Sequence, residues 1–233
     1  MDRWANRLVV FVLLSFFCCR RAVGLVAPSA DIETVREQLG YVPSNFHSVS
    51  ARTENGSPIA ILTYPLHGGA PRRQRKAFRE TERDLGTPFP TLYWLTNPEI
   101  SVAIAELERD GYVRMLKSTL DEDPVALNQF LECHKDYAKR RWDMIAKTDQ
   151  EHLMSDDPSM KRIRYMMQSS GVAGIDYVAQ INDEGTFEAS LKCLHAHYAH
   201  YRSVAVSPQD RGFNPVGHRV HELLQSKFPN LCL

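Results

Sequence analysis

The sequence predicts an α+β domain: a small three-stranded antiparallel sheet packed against a predominantly helical C-terminal part. Three observations lead there. Asn55-Gly56 stands between two β-prone runs, and such a pair is a strong hairpin signal because both residues tolerate the positive φ of a type I′ turn. A third β-prone run, Thr91 to Leu95, follows a proline-rich entry. From Pro98 onward apolar residues recur three and four apart, the helical period. Strands first and helices afterwards is an α+β order, not the alternation of an α/β sheet.

The elements follow in order. Asp31 to Leu39 reads as a short helix, with Ile32, Val35 and Leu39 on one face and Gly40 as its stop. Ser48 to Thr53 and Pro58 to Tyr64 are the hairpin strands. Arg72 to Arg83 carries five Arg and one Lys against two Glu, the composition of a solvated loop or short helix. Pro88 and Pro90 cannot donate to a ladder, so they belong at the start of the third strand or on an edge. Helices are expected from Pro98 to Gly111, Val113 to Leu120, Pro124 to Met144, Pro158 to Met167, Asp183 to Val206 and Val216 to Phe228. The segment from Gly171 to Ile175 is a loop whose two glycines allow a tight turn or a close approach.

Composition narrows the function classes. Lys+Arg and Asp+Glu are both 28, so the chain is formally neutral and shows no basic, aromatic-interleaved platform. No nucleic-acid partner is expected. Residues 1–24 read as a leader: Arg3 and Arg7 precede the apolar run from Leu8 to Cys19, and the small residues Ala22 and Gly24 follow. That run falls short of the roughly 20 apolar residues a span requires, so no membrane span is expected in the mature chain. The leader implies entry into the secretory pathway. The end point is then secretion or a lumen, or the plastid of an alga with a secondary plastid, whose bipartite leaders the Ala22–Ser29 junction resembles. Residues 25–233 are expected to form one globular domain. Its three cysteines, Cys133, Cys193 and Cys232, are odd in number and widely spaced, which is no disulfide framework.

Two motifs stand out. One is Thr87-Pro88-Phe89-Pro90-Thr91-Leu92-Tyr93-Trp94-Leu95-Thr96, and the other runs from Lys192 through Cys193, His195, His197 and His200 to Arg202. At about 100° per residue, Phe187, Leu191, Leu194, Tyr198 and Tyr201 share a core stripe, while Cys193, His197 and His200 share a second row. That row could hold zinc, or set a thiol beside an imidazole that activates it, or be ordinary buried residues. A small anionic ligand is expected between the third strand and this helix. Cys193, His195 and His200 are the catalytic candidates, and Thr87, Thr91, Tyr93, Gly171, Gly174, Lys192 and Asn214 the ligand-binding ones. The alternatives are a non-enzymatic interaction or assembly module and a residual zinc site at Cys193, His197 and His200.

Taken together, the Thr87–Thr96 motif, Gly171-Val172-Ala173-Gly174, Lys192-Cys193-Leu194-His195, His200 and Asn214-Pro215-Val216-Gly217 resemble the bacterial proteins catalogued as domain of unknown function 501. The likeness spans roughly residues 31–225. It implies a single α+β domain and no established activity. Of the cysteines recurrent in that family only Cys193 stands here; Thr53 to Gly56 and Asn97 occupy the places of the others. The leader is foreign to the bacterial pattern and implies a eukaryotic member.

Overall fold

In the computed structural model, which describes residues 29–66, 88–204 and 206–233, the hairpin forms where Asn55-Gly56 places it. The expected leader, the Arg72–Arg83 run and Thr87 lie outside the described residues. Strand β1 (Phe46–Arg52) pairs antiparallel with β2 (Pro58–Thr63), in a register running from Phe46 opposite Thr63 to Arg52 opposite Pro58. The turn is not type I′, because only Gly56 takes a positive φ, 85°. Asn55 instead uses its side chain, whose Oδ1 accepts from the Ser57 amide at 3.2 Å. Strand β3 (Tyr93–Leu95) adds antiparallel to β2, giving the order β1-β2-β3.

Four helices start by one device. Asn97, Asp123, Asp157 and Asn214 each precede a proline, and each side-chain oxygen accepts a backbone N–H of the first turn. Proline holds its predecessor out of helical conformation and needs no donor at the first position, so Asx-Pro is a preformed start. These helices are α2 (Pro98–Arg109), α4 (Pro124–Met144), α6 (Pro158–Ser169) and α8 (Pro215–Lys227), with α1 (Ser29–Leu39), α3 (Tyr112–Glu122), α5 (Lys147–Leu153) and α7 (Leu194–Val204) completing the set among the described residues. None of them is long and apolar enough to cross a membrane.

The expected long helix from Asp183 to Val206 is a correction. Asn182 accepts the amides of Glu184 and Thr186 on its side chain, Gly185 turns at φ 80°, and Ile181 bridges Phe187. This tight turn diverts the chain, so α7 begins only at Leu194. Helix α5, which the apolar spacing does not announce, is also present.

Helix α7 touches all three strands, and α8 packs on α7. Their backbones come close at Gly217, where an added Cβ would stand 2.4 Å from the His197 carbonyl oxygen. The main core runs from the sheet through α7 to α2, α4 and α8, and a smaller cluster gathers Leu66, Ile145, Leu153, Met160 and Met167. Between the two sits Arg141, fully buried and without a carboxylate among its hydrogen-bond partners. Its guanidinium donates to the carbonyls of Met166, Met167 and Ser170 at the C-terminal end of α6, and to Pro90 at 2.9 Å. A helix C-terminus offers unpaired carbonyls and negative potential, the surroundings a buried cation requires. Arg141 thereby fastens the proline-rich entry of β3 to α6.

Candidate functional site

Two groups of polar side chains flank α7, one interior and one at the surface. The interior group is built on Asn214. Its Oδ1 accepts from Gly217 N at 2.9 Å as the cap of α8, which fixes the orientation of the amide. The Nδ2 group can only donate, and it lies 3.0 Å from His197 Nδ1 and 3.1 Å from His200 Nδ1. Both histidines therefore accept at Nδ1 and carry their proton on Nε2. A third imidazole, His134 on α4, accepts from the Val172 amide at Nδ1, 3.0 Å away, and is fixed in the same tautomer.

The three rings form one aromatic-walled cluster. His134 and His197 have centroids 6.0 Å apart, Phe130 packs on both, and His200 lies 5.7 Å from Tyr93 on β3 and 5.3 Å from Tyr137. All three histidines are fully buried. Burial pushes His197 and His200 down to about 3 and His134 well below the usual imidazole range, so all are neutral near pH 7. Gly171 is needed for this packing, because a Cβ there would stand 2.2 Å from His134 Nδ1. The Nε2 atom of each of the three rings is buried and has no hydrogen-bond partner. A buried donor left unpaired costs about 1–3 kcal/mol, so each of the three calls for an acceptor.

The surface group sits at the start of α7. Glu108, from the last turn of α2, accepts the Leu194 amide at 2.7 Å and faces His195 Nδ1 at 3.2 Å, both through Oε1. His195 Nε2 faces the Ser101 carbonyl at 3.1 Å. Both ring nitrogens thus meet acceptors, which suits the doubly protonated cation. Cys193 beside the ring is the largest cause holding His195 up at about 9; partial burial opposes it, and Glu108 and the Ser101 carbonyl add to the rise. Ligating atoms of Glu108, Cys193 and His195 all lie within 4.8 Å of one another, and all three residues keep some exposure.

The expected site residues divide accordingly. Tyr93, Gly171, His197, His200 and Asn214 come together in the interior. Cys193 and His195 belong to the surface group, while Lys192 and Gly174 are exposed. Thr91 offers its carbonyl to the Thr63 hydroxyl at 2.6 Å, a bond within the sheet region. The zinc row of Cys193, His197 and His200 is a correction: Cys193 precedes the helix, so it shares no face with the other two. Moreover, an Nδ1 that accepts from Asn214 leaves Nε2 protonated, whereas a metal-bound histidine ordinarily donates from its second nitrogen. Sequence reasoning missed His134 and Glu108. His134 has a signal, standing four residues after Phe130 on the buried face of α4; Glu108 has none, since its partner lies 86 residues away.

An α+β domain with a sheet-docked histidine helix is the class that fold and site define. The family model described as "Protein of unknown function (DUF501)" matches residues 49–222, and the chain belongs to that family. No match is found among curated proteins or among solved structures.

Proposed function

We propose that the protein binds a small oxyanion in its interior, between β3 and α7, at the Nε2–H groups of His134, His197 and His200. One observation carries this: three buried donors in one cluster, each tautomer fixed by a neighbouring N–H, and none with an acceptor. Oriented N–H groups in a low-dielectric interior hold an anion without a formal positive charge. The site selects by acceptor chemistry, since a metal cation would meet three N–H hydrogens. The rings of Phe130, Tyr93 and Tyr137 stand against these imidazoles.

A thermal-shift series with phosphate, sulfate, formate and acetate tests the proposal, since a ligand that favours the folded state raises its melting temperature. At least one of these anions should raise it in a saturable way, and His200→Phe, judged folded by circular dichroism, should abolish the rise. A crystal structure grown in the stabilising anion should place it within hydrogen-bond distance of the imidazoles. Ordered water alone on all three Nε2 atoms would overturn the proposal.

A further inference from the structure

Glu108, Cys193 and His195 offer one oxygen, one sulfur and one nitrogen, with the three atoms within 4.8 Å of one another at a half-buried position. We propose that these residues hold a divalent cation of the zinc class, with a fourth position open to solvent. This is a different set of residues from the interior cluster, and it stands or falls separately from the oxyanion proposal.

The chemistry of each ligand fits. A mixed sulfur, nitrogen and oxygen set suits zinc, which takes thiolate, imidazole and carboxylate at about 2.0–2.3 Å in a tetrahedron. His195 presents Nδ1 to Glu108, and its other nitrogen already has an outer partner in the Ser101 carbonyl at 3.1 Å. That outer hydrogen bond orients metal-binding histidines and selects their tautomer. Glu108 is likewise steadied by the Leu194 amide at 2.7 Å, so two of the three ligands are held before any metal arrives. The interior histidines lack this arrangement, since their second nitrogens accept from N–H groups.

The charges close as well. Without metal, the proton on His195 Nδ1 occupies the space facing Glu108 and Cys193. With metal, that proton and the Cys193 thiol proton leave to water. The thiolate and carboxylate then neutralise the divalent charge. Three protein ligands plus one exchangeable site is the layout of a zinc centre that acts on a bound water or substrate, whereas purely structural centres are closed by four.

The test uses the full chain with Cys18 and Cys19 replaced by serine, so that those two thiols cannot bind metal. Zinc is titrated by calorimetry after chelator treatment, and cobalt is used as an optical probe. The expected result is one zinc per chain, two protons released, and a thiolate-to-cobalt charge-transfer band. Cys193→Ser and His195→Gln should each weaken zinc binding at least about 100-fold, and Glu108→Gln about 10-fold or more. Cys232→Ser should leave affinity unchanged, and circular dichroism should show every variant folded. No stoichiometric uptake by the parent protein, or undiminished uptake by folded Cys193→Ser, would overturn the proposal.

Discussion

His197 and His195 are two residues apart on one helix, yet their protonation is pushed in opposite directions. His197 and its neighbour His200 face an amide that can only donate, inside an aromatic enclosure, and are held neutral with pKa values of about 3. His195 faces a carboxylate and a carbonyl at the protein edge and is held up at about 9. The difference lies in what each imidazole meets. Donors plus burial make a neutral ring that presents N–H, whereas acceptors plus partial solvation make a cation, or a ligand for one. One short helix thereby carries imidazoles in two unlike environments.

The largest test of this contrast is Asn214→Ala. It removes the donor to two buried imidazoles and the cap of α8 together. Loss of a cap costs about 1 kcal/mol and each stranded buried acceptor about 1–3 kcal/mol. A loss of roughly 3–7 kcal/mol in chemical denaturation is expected. Asn214→Asp should keep the cap but turn an acceptor toward the histidines, raising their pKa values; imidazole nitrogen shifts in NMR would report the change of tautomer. An Asn214→Ala loss below about 1 kcal/mol would mean that the amide does not organise the cluster.

What the sequence made legible follows from how local each cause is. The hairpin, the helix starts at Pro98, Pro124 and Pro158 and the β3 entry depend on neighbouring residues, and all of them appear in the fold. The start of α7 was misplaced because apolar spacing continues through Phe187 and Leu191, while the Asn182–Thr186 turn that stops the helix rests on side-chain hydrogen bonds. Arg141 reads as a surface residue beside Lys139 and Arg140, and only the carbonyls of α6 make its burial tolerable. Helix α7 packs on β3 as the expected site between them required, but Thr91, Gly174 and His195 stand apart from Asn214 instead of converging with it. The division of the histidines into two groups was not anticipated, because it depends on Glu108, Ser101 and Asn214 arriving from distant parts of the chain.

Acid sharpens the comparison next. The interior histidines have folded-state pKa values below the unfolded value of about 6.5, so the unfolded chain takes up protons that the folded one refuses. Stability is therefore fully present above about pH 6.5 and falls as pH drops from there toward 3. The slope is about 1.4 kcal/mol per pH unit for each histidine that remains neutral. Urea denaturation at pH 7 and pH 5 should show a loss on the order of a few kcal/mol, while the buried Nε2–H signals persist in NMR at pH 5. Equal stability at the two pH values would mean that these rings do not stay neutral.

The smallest effect lies at the other end of the scale and belongs to His195. Its folded pKa, about 9, exceeds the unfolded value, so the stability it contributes is fully present below about pH 6.5 and lost as pH rises through 9. His195→Gln, compared with the parent protein in chelator, should be less stable at pH 6, by under about 1 kcal/mol because the pair is partly solvated. The gap should close by about pH 10, where the parent imidazole has also lost its charge. The same substitution should leave the acid slope between pH 7 and pH 5 unchanged, because that slope belongs to His134, His197 and His200. A gap that persists at pH 10 would mean that His195 acts through packing and not through its charge, and the pairing with Glu108 would lose its electrostatic role.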